Sequence, residues 1–112
     1  MIEPVVIAYL NDKLGIDVAG EKLAGIEKMV VVSRVGSGVD NMIDSVMLSF
    51  QSYDTTKAKA CALNDLVKEA INSMPDELDK ISECKLNSDY DFTDTAKKGS
   101  RWQCVFDITY YE

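Results

Sequence analysis

The sequence contains no histidine. It therefore lacks the side chain that most often serves as general base and as metal ligand. Cysteine is scarce and odd in number, three residues among 112, which argues against a disulfide framework. Cys61, Cys84 and Cys104 form no C-x-x-C spacing, so a zinc site is not expected. They read as small buried hydrophobes. A cross-strand meeting of Cys84 with Cys104 depends on where the intervening chain turns. The longest apolar run, Val5 to Leu10, is far too short to cross a membrane. Met1-Ile2-Glu3-Pro4 lacks the positive n-region of a signal peptide. Positive charge is also in short supply: 12 basic residues face 19 acidic ones, a formal net charge of −7. That balance argues against a protein that grips nucleic acid through its phosphates. It leaves room for one that surrounds DNA without holding it. A single domain made in a reducing cytoplasm fits this composition, and its length suffices to fold without disulfide or metal.

What is present is organised around the end of the chain, KLNSDYDFTDTAKKGSRWQCVFDITYY. Cys84, Leu86, Tyr90 and Phe92 occupy even positions with Ser88 among them, and Lys85, Asn87, Asp89, Asp91 and Thr93 occupy odd ones. Further on, Trp102, Cys104, Phe106, Ile108 and Tyr110 alternate with Arg101, Gln103, Asp107 and Thr109. Strand side chains point alternately to opposite faces, so the pattern predicts a long β-hairpin with one apolar side. The polar stretch Asp94 to Ser100 suits its turn. An apolar sheet face needs a cover, which the remaining chain must supply.

From the start, Pro4 suits a first helical turn, Val6, Leu10 and Leu14 share a helical face, and Gly15 is a stop. The β-branched Val5-Val6-Ile7 leaves a strand as the rival reading. Ile16 to Val18 reads as a short edge strand and Ala19 to Glu27 as a connection. Met29 to Val35 is a strand ending at Gly36-Ser37-Gly38, its continuous apolar run predicting a central place. Gly36 to Ile43 reads as a turn. Asp44 to Tyr53 is a second strand with Val46, Leu48 and Phe50 on one face. Asp54 is the expected cap of a helix from about Thr55 to Ser73. Its apolar stripe is Leu63, Leu66, Val67, Ala70, Ile71 and Met74, with Asn64 outside it. Pro75 ends this helix or starts a further turn. The fold expected is α+β: a mostly antiparallel sheet of four or five strands with two helices on its apolar face and a long C-terminal β-hairpin.

Little in this order carries chemistry. Asp89 and Asp91 could bind a hard cation or run acid–base catalysis, but the alternation puts them on the hairpin's solvated polar face. Gly36-Ser37-Gly38 is no phosphate loop, since neither Gly-Lys-Ser/Thr nor a helix follows. Lys97, Lys98 and Arg101 form the only basic cluster and read as a solubility or salt contact. No catalytic residue, metal or cofactor is expected.

The opening EPVVIAYLNDKLGIDV, the strand and turn VVVSRVGSG, and the ending quoted above together resemble the tail completion or tail terminator (head–tail joining) proteins of long-tailed bacteriophages and prophages. The resemblance covers most of the chain, and the ending is its most specific part. Ala19 to Glu27 departs from it by lacking a proline. The family carries no catalytic motif, so no residue role can be transferred from one.

The resemblance implies a virion structural protein, made in the host bacterial cytoplasm and found in the tail. Copies would form a homo-oligomeric ring, usually a hexamer, on the head-proximal end of the tail tube. The ring ends polymerisation of the tail tube protein and offers a surface to the head connector or neck protein. DNA passes through without specific binding. The expected assembly interface is the hairpin tip, Asp94, Thr95, Lys97, Lys98 and Arg101, with Gly36, Ser37, Asp40 and Asn41 of the earlier turn. Two other classes stay open: a cytoplasmic ligand-binding or regulatory α+β module, and an enzyme using a carboxylate or a cysteine.

Overall fold

The structure, a computed structural model, describes residues 2–40, 43–96 and 99–111. Helix α1 spans Glu3–Leu14, strand β1 Asp17–Ala19, β2 Met29–Asp40, β3 Ile43–Asp54, helix α2 Lys57–Glu77, β4 Ile81–Asp91 and β5 Ser100–Tyr111. The strands make one five-stranded sheet in the order β1-β2-β3-β5-β4. β1 pairs with β2 in parallel; the other three pairings are antiparallel. The fold is α+β with a mixed, mostly antiparallel sheet.

The first segment is a helix. Pro4 lies in its first turn, where a missing N–H costs nothing, and Gly15 closes it at φ 66° with its N–H on Asn11 O. The Asn11 side chain then bonds both N and O of Val18, fixing β1 beside the helix. β1 pairs only with Met29 to Val31, so β2 is central there and an edge beyond. β2 also runs longer than its apolar stretch predicts. Gly36-Ser37-Gly38 does not end it; the strand continues to Asp40, paired with β3. A bulge between Arg34 and Gly36 absorbs the irregularity. Gly36 to Asp40 is thus strand and not turn, and Asn41 lies outside the described residues.

Helix α2 is capped by Thr56, whose hydroxyl accepts from Lys59 N at 3.2 Å. Asp54, the expected cap, instead accepts from Thr55 N. The helix passes through Pro75 to Glu77, closing with Leu78 N on Met74 O. Pro75 is so near the end that the loss of one hydrogen bond is tolerated. The buried stripe is Ala60, Leu63, Asn64, Val67, Ala70, Ile71 and Met74, while Leu66 is 52% exposed. Asn64 and Leu66 thus exchange the roles that hydrophobicity assigned them.

One core joins Val6 and Leu10 of α1 and Leu63, Val67 and Ile71 of α2 to Val30, Val32, Leu48, Phe50, Phe106 and Ile108 of the sheet. Phe50 and Phe106 meet edge to face, centroids 6.0 Å apart. Tyr9 ties the helices together, its hydroxyl donating to Ala70 O at 2.8 Å.

The hairpin β4–β5 forms with Asp91 opposite Trp102 and Cys84 opposite Ile108. Cys84 and Cys104 are therefore not partners, and all three cysteines are free thiols. β5 keeps the expected alternation, but β4 does not. Register shifts lie between Ile81 and Glu83 and between Leu86 and Ser88. The second inserts one residue and reverses every side chain after it. Asp89 now pairs with Cys104 and Asp91 with Trp102, on the helix-bearing face, while Tyr90 pairs with Gln103 on the other.

Candidate assembly surface

The helices lie on one side of the sheet, so its other side is laid out by register. One row holds Met29, Tyr53 and Arg101, with Phe92 beside Arg101 through its N–H to Arg101 O. The next holds Val31, Gln51, Gln103 and Tyr90, and the third Ser33, Ser49, Val105 and Ser88. The fourth holds Gly36, Met47, Asp107 and Lys85. Within these four rows Arg101, Asp107 and Lys85 are the charged residues, the last two opposite each other, and Glu83 follows in the next row opposite Thr109. In a chain with 28% charged residues, these rows are sparsely charged; Tyr53, Tyr90, Phe92, Met47 and Arg101 are types enriched at interface cores, while Ser33, Ser49 and Ser88 are not.

Its side chains hold one another. Gln51 Nε2 donates to Gln103 Oε1 at 2.9 Å, and Gln103 Nε2 donates to the Tyr90 hydroxyl. Arg101 lies 4.4 Å from the Phe92 ring centre and 5.6 Å from that of Tyr53. Its Nε donates to Phe92 O and its Nη1 to the Tyr53 hydroxyl. Tyr90 and Phe92 meet edge to face at 5.7 Å, yet stay 39% and 40% exposed. The connection after β1 folds over one end, where Leu23 N contacts Met29 Sδ and Lys22 lies 5.5 Å from the Tyr53 ring centre.

The helix-bearing side carries the aspartates that alternation left in solvent. Asp89 accepts from Asn64 Nδ2 at 2.8 Å, Trp102 Nε1 at 2.7 Å and Lys68 Nζ. Burial alone would push its carboxyl up, but the bonds from Lys68, Trp102 and Asn64 prevail and hold it below the usual range. Thr93, through hydroxyl and N–H, and then Lys57 bring Asp91 down to about 2. These are structural ties of β4 and β5 to α2. Among the described residues no group of three or more His, Cys, Asp or Glu could hold a metal ion. Burial pushes the Cys84 and Cys104 thiols up to about 12, opposite to the shift a reactive thiol needs.

The expected interface residues do not come together. Asp94 sits in the hairpin connection, its carboxylate accepting from Ala96 N, with Thr95 exposed beside it. Lys97 and Lys98 lie outside the described residues. Arg101 is opposite Tyr53, near one end of β3, whereas Gly36 is opposite Met47, Ser37 opposite Val46 and Asp40 opposite Ile43, toward the other end. The two groups thus mark opposite ends of a molecule 44 Å long. Arg101 alone belongs to the aromatic cluster. Sequence reasoning missed Tyr53, Tyr90, Phe92 and Leu66. The available signal was Ser88, a polar residue in β4's apolar period, which marked the place where the face changes.

Among the described residues, grooves open on both sides of the sheet. One of about 580 Å³ lies between the connection after β1 and the hairpin, lined by Lys22, Glu27, Tyr53, Asp54 and Gly99 among others. A second of about 330 Å³ lies on the helix-bearing side and includes Lys28, Lys59, Ala62 and Leu66. Among the described residues no helix is long and apolar enough to cross a membrane. No protein-family model matches the chain, and no curated protein sequence matches it either.

Proposed function

We propose that this protein is a virion assembly subunit of a long-tailed phage or prophage. Copies form a ring at the head-proximal end of the tail tube, stop its growth and join tail to head. The helix-free sheet face carries this reading: Tyr90 and Phe92 stay 39% and 40% exposed along it, beside Met29, Val31, Ser49, Gln103 and Val105, which are buried within the subunit. A layer with helices on one side only leaves a broad, sparsely charged surface for a neighbour. The sequence resemblance points the same way. The partners are further copies of the chain, the tail tube protein and the head connector or neck protein. The net charge of −7 suits a channel through which DNA slides by simple repulsion; an inner ring surface lined by Lys and Arg would refute that part.

Negative-stain microscopy of the protein mixed with tail tubes tests the reading. Rings seated at one tube end are expected. Tubes that keep growing with bare ends would overturn it. A second reading, a ligand-binding or regulatory module, draws on the groove of about 580 Å³, a size typical of small-molecule sites. Lys22, the only lining cation among the described residues, donates to the carbonyls of Leu23 and Ile26, which leaves Asp54 and Glu27 to select a ligand. A small molecule that raises the melting temperature of the isolated protein would favour this second reading.

A further inference from the structure

We propose that the exposed Tyr90–Phe92 pair of one copy docks into the α2 groove beside Leu66 of the next, an inference that rests on the ring reading above. Knob and groove lie on opposite faces of one layer. The rings project from the helix-free side. The groove, of about 330 Å³, opens on the helix-bearing side between Lys28, Lys59, Ala62 and Leu66.

The two also lie at one height along the strands. Lys57 of α2 pairs with Asp91 at 3.1 Å, and Asn64 and Lys68 reach Asp89. The first turns of α2 are thereby fixed beside the β4 residues that flank Tyr90. Such docking joins two different surfaces, and successive copies close into a ring when the rotation allows.

The chemistry is complementary. An aromatic pair enters a groove whose apolar lining is Ala62, Leu63 and Leu66 and whose charged lining is Lys28, Lys59 and Asp54, two cations to one anion, and the lysines offer cation–π contact. The surrounding sheet face brings few charges of its own, so copies of a −7 chain meet where repulsion is least. Four strands about 4.8 Å apart over four rows about 6.8 Å apart span roughly 500 Å², of which the Met29, Val31, Ser49, Gln103 and Val105 positions are already buried within the subunit. A stable pair in solution usually needs about 800 Å² per partner. One such contact is weak, and the two made by each copy in a closed ring reinforce one another.

Cysteine trapping tests the contact. Phe92→Cys and Leu66→Cys are placed, singly and together, in a Cys61→Ala, Cys84→Ala background whose melting confirms that it folds. Under mild oxidation at high protein concentration the double variant should give a ladder of disulfide-linked oligomers. Each single variant should stay monomeric, and an equal mixture of the two should stop at dimers. Absence of the ladder overturns the proposal. So do dimers from Phe92→Cys alone, which would mean that like faces meet. Rings that persist on tube ends with Phe92→Lys and Leu66→Lys would remove this interface and keep the ring; absence of rings with the unaltered protein would remove the ring itself.

Discussion

Trp102 Nε1 donates to Asp89 Oδ1 at 2.7 Å, on the face that carries α2. The same carboxylate holds the amide of Asn64, which is fully buried and whose Oδ1 has no partner among the described residues. Asp89→Ala removes that amide's donor contact, the Trp102 bond and the Lys68 ion pair at once. The expected loss is about 1–3 kcal/mol, toward the lower end because the Lys68 pair is partly exposed. Urea unfolding followed by Trp102 fluorescence reads it directly. Asp94→Ala, at an exposed turn, should stay within about 0.5 kcal/mol of the parent. Equal effects would deny Asp89 its tying role.

Acid should expose the same ties. The carboxyls of Asp89 and Asp91 are lowered in the folded protein, as are those of Glu3 beside Arg34 and Glu77 beside Tyr9 and Lys13. Groups with depressed folded values stabilise fully above their unfolded values, about 4, and lose that contribution as pH falls through the folded ones. For Asp91 that loss extends to about pH 2. The melting temperature should therefore be nearly level from pH 7 to about 5 and fall between about 4 and 2. Asp91→Asn should shrink the lowest part of that fall. A melting temperature that rises on acidification would contradict the sign.

The parts of the fold that followed from sequence rest on unbroken periods. The even positions from Trp102 to Tyr110 share one face, the odd ones being broken by Val105, and Cys104, Phe106, Ile108 and Tyr110 join the core as expected. Val46, Leu48 and Phe50 behave alike. The failures sit where one residue changes a period. A bulge after Leu86 costs no apolar residue, so hydrophobicity does not register it, yet it sends Tyr90 outward and Asp89 inward. Asn64 is polar but enters the core because Asp89 reaches it, a contact 25 residues distant in sequence. Gly36 to Asp40 form strand because β3 offers partners, which outweighs the weak strand tendency of glycine.

Gly99 offers a backbone test of the hairpin's seat on β3. Its φ is 85°, and a Cβ placed there would lie 3.0 Å from Asp54 O. Gly99→Ala therefore meets both an unfavourable conformation and a fixed carbonyl. It should cost about 1–3 kcal/mol. Gly20→Ala, whose Cβ would meet nothing within 4 Å and whose φ is not positive, should be close to neutral. Calorimetry of the two variants decides, and matching melting temperatures would show that the turn relaxes freely.

The hairpin tip allows folding and assembly to be separated. Thr93 and Arg101 belong to the seat: Thr93 Oγ1 accepts from Arg101 N at 3.1 Å while its proton goes to Asp91 at 2.7 Å. The replaceable segment is therefore Asp94 to Gly99. Exchanging it for Asn-Gly closes the strands with a favoured two-residue turn and a shorter loop, so the fold should lose little. The variant should melt within a few degrees of the parent. Phe106→Ala empties a fully buried site beside Phe50 and should cost about 3–5 kcal/mol. If the tip reaches the tube or the connector, tails assembled with the short variant should be overlong or headless although the protein is folded. Normal tails would assign the tip no part in assembly and leave the contact to the uncovered sheet face. An unfolded short variant would show that the tip helps to hold β4 to β5, and that its polar residues do more than link two strands.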